Sequence, residues 1–177
     1  DASVLYTVKL VGTKTEFYKS TDAGLTWTIK PIGWPNPATG DEQKRCEISV
    51  SAAIPDLIYI LASGDVGPDG GLYGIYKSFD AGETFTFECC EGSPGGPPTV
   101  TNPNILGWSE DGTGDGGQYY YDLALCASPT DPDRLFGAGI NVWRSVNGGA
   151  DWTINGHWVT WVQSGSDTYL LDPRAPS

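Results

Sequence analysis

The sequence predicts an all-β protein made of about three repeating units, each a sheet of four short antiparallel strands. One turn motif occurs three times, each time between short runs in which apolar and polar residues alternate. Gly and Pro account for 24 and 13 of the 177 residues, and aromatic residues for 12%. Such a composition favours many strands joined by turns over helices.

The turn motif reads Ser-x-(Asp/Asn)-x-Gly-x-(Thr/Asp)-(Trp/Phe). The Asp or Asn side chain can accept hydrogen bonds from backbone N–H groups two residues ahead, and the Gly can supply the positive φ of a tight hairpin. The positions that the three copies share are Ser20, Asp22, Gly24 and Trp27 in the first copy, Ser78, Asp80, Gly82 and Phe85 in the second, and Ser145, Asn147, Gly149 and Trp152 in the third. Asn147 keeps an acceptor oxygen but carries no charge, so we interpret the motif as scaffold rather than chemistry.

Each motif lies between two predicted strands, which we label C and D, and a strand B precedes each C. Strands B are predicted at 4–10, 57–62 and 134–138, strands C at 16–19, 73–77 and 140–144, and strands D at 27–29, 85–88 and 152–154. A strand A precedes B at 46–52 and 121–127, and each is followed by a Pro-Asp turn, at 55–56 and 132–133. Residues 169–173 predict one further strand A.

Four short antiparallel strands that recur in this order are typical of a β-propeller blade. We therefore predict a single propeller segment over 1–177. It comprises a blade at 1–30 that lacks its first strand, blades at 46–90 and 119–157, and the first strand of a following or closing blade at 168–177. Because known propellers have at least four blades, we expect the remaining blades in the same or another chain, within a larger ring.

The three turn motifs resemble the Asp-box, or BNR repeat, of sialidases, sortilin-type receptor domains, xyloglucan hydrolases and many secreted bacterial propellers. The resemblance implies that the box joins strands C and D on the rim away from the binding face. A longer stretch, 70–158, with the segments GGLYGIYKSFDAGETF, PNILGW and NGHW, resembles bacterial propeller proteins exported by the type IX secretion system. That resemblance implies a secreted or cell-surface location.

Charge and hydropathy exclude two classes of partner. The 22 Asp and Glu residues against 10 Lys and Arg give a formal net charge of −12, which repels nucleic-acid backbones. No apolar run approaches the roughly 18 residues of a membrane span, so we expect none. The chain has no Met and no signal-peptide pattern, which we interpret as an internal or processed piece of a longer protein.

The cysteines are Cys46, Cys89, Cys90 and Cys126, and they lack the spacing of a zinc site. In an exported protein they are candidates for up to two disulfides. Cys89 and Cys90 are neighbours in a predicted extended run, where successive side chains point to opposite faces. We therefore expect them to face different partners, with a vicinal bond between them as the alternative.

Two long connections, 30–45 and 91–118, join a strand D to the next strand A, and the resemblance places them near the ligand-binding top of the ring. A D-x-x-x-D-G-G pattern occurs at Asp65 and Asp69 and again at Asp111 and Asp115. These carboxylates and neighbouring carbonyls are candidate calcium ligands. The spacing departs from known calcium motifs, so a solvated Gly-rich loop is favoured, and no other cofactor is expected.

The candidate ligand-contact residues are Trp34, Trp108, Tyr119, Tyr120, His157 and Trp158. Aromatic rings of this kind stack on sugars or pack against protein surfaces, so the candidate partners are a protein or a carbohydrate. The alternatives are that the two loop tryptophans anchor their loops, that at least one tyrosine faces the core, and that His157, the only histidine, is structural.

The sequence thus predicts a non-catalytic β-propeller segment for binding or assembly in a secreted or cell-surface protein. The residues Arg45, Arg134, Arg144 and Arg174 do not supply the arginine set that a resemblance to sialidases would require. No catalytic residue is assigned. The alternative is part of a xyloglucanase-like or sialidase-like glycoside hydrolase whose catalytic residues lie partly outside this segment.

Overall fold

A computed structural model describes residues 3–37, 40–65, 71–90, 98–114, 116–158, 161–164 and 167–170. These residues form strands and turns and contain no helix, which confirms the predicted all-β class. Accordingly, the described part of the chain has no helix that could cross a membrane. The strands are β1 (Leu5–Val11), β2 (Lys14–Ser20), β3 (Thr28–Ile29), β4 (Glu42–Ser51), β5 (Ile54–Asp65), β6 (Gly71–Ser78), β7 (Thr86–Cys89), β8 (Ala124–Ala127), β9 (Leu135–Ala138), β10 (Val142–Ser145), β11 (Thr153–Gly156), β12 (Trp161–Ser164) and β13 (Asp167–Leu170).

The first eleven strands form three antiparallel sheets, which we call blades 1, 2 and 3. Blade 1 contains β1 to β3, blade 2 contains β4 to β7, and blade 3 contains β8 to β11, each in sequence order across the sheet. This is the predicted order, with strand A missing from blade 1. The last two strands form a separate hairpin. The sequence did not predict β12. The predicted last strand A, at 169–173, is described only as far as Leu170, and there β13 pairs with β12.

Two strands of blade 3 begin later than predicted because turns precede them. Strand A begins at Ala124 instead of residue 121, since the backbone N–H groups of Tyr121 and Asp122 donate to the Gln118 carbonyl at 2.7 and 2.8 Å. Strand C begins at Val142 instead of residue 140, since the Gly139 N–H donates to the Asn141 carbonyl at 3.2 Å. Both turns lie at the end of the blade where the candidate site is found.

Blade 2 lies between the other two blades, and both of its faces are buried. Alternate residues of β5 belong to two different clusters, as the two-residue period of a strand requires. Leu57, Tyr59 and Leu61 pack in the cluster shared with blade 3. Ile58, Ile60 and Ala62 pack in the cluster shared with blade 1. This double burial explains why β5 has apolar side chains at successive positions, as in a sheet covered on both faces.

Each box hairpin is tied to the start of strand B in its own blade. The backbone N–H of Ala23 donates to the Ser3 carbonyl at 2.9 Å. The equivalent bonds run from Ala81 to Asp56 at 2.8 Å and from Gly148 to Asp133 at 2.9 Å. These bonds place the boxes beside the A–B turns, at what we call the box end. The B–C turns and the long D–A connections lie at the opposite end, which we call the loop end.

Buried polar side chains hold the long connections against the blades. Gln43 is fully buried, and its Oε1 accepts hydrogen bonds from the Thr15 N–H at 2.8 Å and the Thr15 hydroxyl at 2.9 Å. In the second connection the Asn104 amide group donates to the carbonyls of Gly114 and Gly116, at 3.1 and 2.8 Å. The described parts of these connections are therefore packed structure.

The cysteines differ from the main expectation. Cys89 and Cys90 form a vicinal disulfide and are buried in the cluster between blades 2 and 3. The expectation that they face different partners was wrong, because β7 ends at Cys89 and the alternation of side chains ends with it. Cys90 has a φ of 68°, a left-handed conformation outside the strand. Cys46 and Cys126 are free thiols.

Candidate functional site

The box residues form a closed set of local hydrogen bonds. In the second copy the Ser78 hydroxyl donates to Asp80 Oδ1 at 2.8 Å and accepts from the Gly82 N–H at 2.8 Å. The Thr84 N–H and hydroxyl donate to the two Asp80 carboxylate oxygens, at 2.9 and 2.7 Å. The first copy repeats these contacts around Asp22. The carboxylates are thus occupied within their own turns.

These hydrogen bonds also set the acidity of the two carboxylates. Those from the Thr26 hydroxyl and N–H lower the pKa of Asp22 to about 2. Desolvation raises the pKa of Asp80, but hydrogen bonds from Thr84 and Ser78 outweigh it and bring the pKa to about 2. Hydrogen bonds to the charged form favour ionisation. Both carboxylates are therefore ionised acceptors at neutral pH.

The third box reverses one donor and one acceptor. Asn147 Oδ1 accepts from the Asp151 N–H at 3.0 Å, as the Asp oxygens do from threonine N–H groups in the other copies. Its Nδ2 then donates to the Asp151 carboxylate at 2.8 Å, where Thr26 and Thr84 are the donors. Asn147 and Asp151 therefore keep the two contacts that the Asp and Thr residues make in the other copies. This conservation of geometry supports the interpretation of the box as scaffold.

The candidate ligand-contact aromatics fall into two groups. Trp34 packs against Phe17 and Phe85, with ring centroids 5.3 and 5.0 Å apart, and its indole N–H donates to the Thr15 carbonyl at 2.9 Å. Tyr119 is only 8% exposed and belongs to the core between blades 2 and 3. Tyr119 is therefore a core residue instead of a ligand contact, whereas Trp34 is half-buried and anchors its loop. Tyr120 is exposed, as is its neighbour Tyr121.

Trp108 and Trp158 form the centre of an open cleft at the loop end of blade 3. Their ring centroids are 5.4 Å apart and the ring planes meet at 73°, so the two indoles form a corner. Trp108 is 41% exposed and Trp158 is 54% exposed. The cleft has a volume of about 460 Å³ and is also lined by Gln118, Asp122, Gly139 and Ile140. The second connection, the turn before β8, the B–C turn and the residues after β11 all contribute to it.

Asn141 holds the two tryptophan segments together from beneath the cleft. Its side chain is fully buried, and its amide nitrogen lies 3.0 Å from the Gly107 carbonyl and 3.3 Å from the carbonyls of both Trp108 and Ser109. Its amide oxygen accepts from the Trp158 N–H at 3.1 Å. One buried side chain therefore fixes the backbone of both exposed indoles. His157 lies beside this arrangement, with Nε2 3.3 Å from the Trp108 carbonyl, consistent with the structural alternative.

Of the four candidate calcium residues, only Asp111 has a side chain among the described residues. Asp111 Oδ1 accepts from the Thr113 N–H at 3.0 Å and from the Thr113 hydroxyl at 2.7 Å. The Thr113 N–H is the main cause of the lowered pKa of Asp111. The side chain of Asp65, and Asp69 and Asp115, lie outside the described residues. Among the residues that are described, no group of three His, Cys, Asp or Glu is placed to hold a metal ion.

A second candidate surface is the outer face of blade 1, which we call the blade 1 face and define as Leu5, Tyr18, Trp27 and Ile29. Trp27 is 40% exposed, whereas the equivalent box aromatics Phe85 and Trp152 are 4% and 6% exposed. Leu5 is 39% exposed, and its equivalent in blade 2, Ile58, is fully buried. In blades 2 and 3 this face is covered by the preceding blade. In blade 1 the described residues leave it uncovered.

Three solved structures show similarity to this chain. The crystal structure of the GH74 xyloglucanase from Xanthomonas campestris has a TM-score of 0.55 at 16% identity, over 89% of this chain and 22% of that chain. A structure of YCF48 bound to D1 peptide has a TM-score of 0.48 at 13% identity, over 94% and 43% of the respective chains. The GH74 enzyme from Niastella koreensis has a TM-score of 0.39 at 22% identity, over 89% and 28%.

The xyloglucanase, whose TM-score exceeds 0.5, supports a β-propeller fold and nothing finer, because an identity of 16% shows the fold alone. The chain spans about a fifth of the length of that enzyme, 22%. No protein-family model matches the sequence, and no curated protein sequence matches it significantly. The fold is therefore shown by three stacked blades and by one structural relative.

Sequence reasoning missed four lining residues of the cleft, Gln118, Asp122, Gly139 and Ile140, and the buried Asn141 beneath them. The pattern assigned Asn141 to a strand C that began at residue 140, so its role as a buried turn residue was hidden. Gln118 and Asp122 flank the Tyr-rich segment that the structure shows to be a turn. A polar residue inside the run INVW, directly before a strand, was the available signal for Asn141.

Proposed function

We propose that this chain is a non-catalytic propeller segment of a secreted or cell-surface protein, and that it binds a ligand at the Trp108–Trp158 cleft. One observation carries the proposal. Two tryptophans that are 41% and 54% exposed are fixed by a fully buried asparagine. Exposing large aromatic surface is costly in water, and binding sites commonly combine aromatic side chains with a few oriented polar groups.

The assembly part of the proposal concerns the blade 1 face. Phe17 of blade 1 lies against Gly82 of the second box, and Ile75 of blade 2 lies against Gly149 of the third. Each blade thus places a side chain over the box glycine of the next blade. Gly24 of the first box has no such neighbour from another blade among the described residues. A further blade, from the same or another chain, is the partner that this geometry fits.

The proposed location follows from the resemblance and is supported by the chemistry of the chain. A disulfide such as Cys89–Cys90 persists in the oxidising environment outside the cytosol. The hydrogen-bonded hairpins around Asp22, Asp80 and Asn147 support the Asp-box type of repeat. Export by the type IX system is included in the proposal on the resemblance of residues 70–158.

A ligand screen with matched variants tests the binding role. Wild-type protein, Trp158→Ala and Tyr121→Ala are each immobilised and exposed to a panel of neutral and acidic oligosaccharides and to a displayed peptide library. Tyr121 is the matched control because it is exposed at the same end but does not line the cleft. We expect at least one ligand that binds wild type and Tyr121→Ala but not Trp158→Ala.

Two results would contradict the proposal. If no ligand distinguishes Trp158→Ala from the other two proteins, the cleft is not the binding site. If the wild-type protein releases reducing sugars from any polysaccharide in the panel, the segment is catalytic, and the glycoside hydrolase alternative is favoured. Circular dichroism of all three proteins shows whether they share one fold.

A further inference from the structure

The composition of the cleft points to the class of ligand, an inference that rests on the binding role proposed above. We propose that the Trp108–Trp158 cleft recognises an alkylammonium group, either in a small free molecule or at the end of a lysine-derived side chain of a protein partner. The proposal stands on three features of the cleft: its two indole rings, its carboxylate, and its size.

The two indoles provide the electron-rich surface that attracts a cation. Tryptophan is the most favourable aromatic partner in cation–π contacts, which act over about 6 Å from the ring centroid. The centroids of Trp108 and Trp158 are 5.4 Å apart and the rings meet at 73°. A compact cation placed in this corner lies within reach of both rings at once. Because the two indoles are fixed through Asn141, little ordering is required on binding.

The charges around the cleft favour a cation over an anion. Asp122 supplies a carboxylate, Gln118 supplies a neutral amide, and the lining residues that the structure describes include no Lys, Arg or His. The Asp122 N–H donates to the Gln118 carbonyl at 2.8 Å, which fixes the backbone that bears the carboxylate. The formal net charge of −12 adds a long-range attraction for cations.

The size of the cleft favours a small group over an extended protein surface. A volume of about 460 Å³ lies in the range of small-molecule sites, about 300–1,000 Å³. A stable protein interface buries about 800 Å² on each partner, which a cleft with six lining residues does not supply. A protein ligand would therefore reach this cleft with one cationic side chain and make its other contacts elsewhere.

The test compares a charged probe with a neutral molecule of the same shape. Choline has a positively charged nitrogen at its branched centre, whereas 3,3-dimethylbutanol has a neutral carbon there. The difference between their affinities therefore isolates the effect of the charge. Binding is followed by the indole N–H signals in two-dimensional NMR at low ionic strength. We expect choline to bind about tenfold more tightly than its isostere, because one or two cation–π contacts contribute a binding free energy of that size.

Variants assign the preference to the named residues. Trp158→Leu is expected to reduce the preference for choline strongly, leaving only the contribution of Trp108 and Asp122, while Trp158→Phe keeps more of it because it retains an aromatic face. Asp122→Asn, which is nearly isosteric, is expected to weaken choline binding and leave the isostere unaffected. Tyr121→Leu is the control that leaves both affinities unchanged. A trimethyl-lysine peptide that binds more tightly than choline identifies a protein partner as the source, and the reverse order identifies a small molecule.

Three results overturn the inference. The first is equal affinity for choline and its isostere. The second is that an oligosaccharide or a peptide without a cationic group binds in a way that depends on Trp158, while choline does not bind. This result would leave the proposed binding role intact. The third is the absence of any Trp158-dependent ligand in this assay and in the screen described above, which would overturn the binding role as well.

Discussion

At the scale of single residues, the box carboxylates act as turn acceptors. Asp80 accepts three hydrogen bonds from Thr84 and Ser78, and its pKa of about 2 lies below the ordinary value of 3.8. A carboxylate whose pKa is lowered by folding contributes stability above its unfolded pKa, and this contribution is lost as the pH falls through the folded pKa. The box contribution is therefore complete at neutral pH and lost between about pH 4 and 2.

The first prediction compares two substitutions at this position. We expect Asp80→Ala to lower the free energy of unfolding by about 1 kcal/mol at pH 7, as loss of a capping acceptor does. Asp80→Asn is expected to cost much less, because its amide can accept from the Thr84 N–H and donate to the Thr84 hydroxyl, as Asn147 does in its own box. Urea unfolding measures both.

The pH dependence of the same pair provides the check. The difference between wild type and Asp80→Asn should shrink as the pH falls from 5 to 2, since the wild-type carboxylate becomes protonated. If Asp80→Asn were as harmful as Asp80→Ala at pH 7, the capping role assigned to the side-chain oxygen would be wrong. The third box would then need a separate explanation.

The cysteines give a second prediction at the residue scale. Desolvation raises the pKa of the thiol of Cys46, a half-buried residue, to about 12, while Cys126 is exposed. Because the thiolate is the reactive form, we expect one thiol of the native, unreduced protein to react rapidly with Ellman's reagent at pH 8. Cys126→Ser should remove this fast reaction, and unfolding should reveal Cys46. Two fast thiols in the native protein would contradict the assignment.

At the scale of strands and turns, the sequence predicted what short-range physics determines. The hairpin turns, the short strands beside them and their antiparallel order all followed from turn chemistry and alternation, and the structure confirms this all-β arrangement. The packing of the long connections did not follow. It depends on buried polar residues such as Gln43, Asn104 and Asn141, whose partners lie as far away in sequence as 34 residues. Of these three residues, only Asn141, inside the apolar run INVW, carried a local sign that it would be buried.

The candidate site was predicted in part for the same reason. The sequence selected Trp108 and Trp158 as exposed aromatics, but it also selected Trp34, which is half-buried and anchors its loop, and Tyr119, which is packed in the core. Residue type alone cannot distinguish an aromatic that anchors a loop from one that faces solvent. The vicinal disulfide was only the alternative prediction, because the alternation of side chains along the strand was assumed to include Cys90, one residue past the end of β7.

The box glycines provide a prediction at the element scale. Gly24, Gly82 and Gly149 have φ values of 89°, 81° and 93°, so alanine costs about 1–2 kcal/mol of backbone strain at each. A Cβ at Gly82 would lie 2.9 Å from Phe17 of the neighbouring blade, and one at Gly149 would lie 3.1 Å from Ile75. We expect Gly82→Ala to be the most destabilising in chemical denaturation, followed by Gly149→Ala.

Gly24→Ala is the matched control for this series. Its Cβ would meet Leu5 at 3.4 Å, an ordinary contact within its own blade, so only the backbone strain remains. The excess cost at Gly82 over Gly24 therefore measures the contact between blades. Equal losses at all three positions would show that the blades do not pack closely over the boxes.

At the scale of the whole molecule, the account depends on blades stacking through a repeated interface. Blade 2 is covered on both faces, and the blade 1 face has the same kinds of residues without a cover. Exposed apolar patches with this composition are characteristic of interaction sites. We therefore propose that the blade 1 face takes another blade, and in the isolated chain we expect it to associate with other copies.

Multi-angle light scattering over a concentration series measures whether the blade 1 face associates. We expect the mass of the isolated chain to exceed the monomer value of 18.9 kDa as the concentration rises. Trp27→Lys, on the blade 1 face, should bring the mass back to the monomer value. Trp108→Lys, with a nearly equal exposure of 41% at the other end of the molecule, should not. A wild-type chain that stays monomeric at every concentration, and does not differ from Trp27→Lys, would contradict the account.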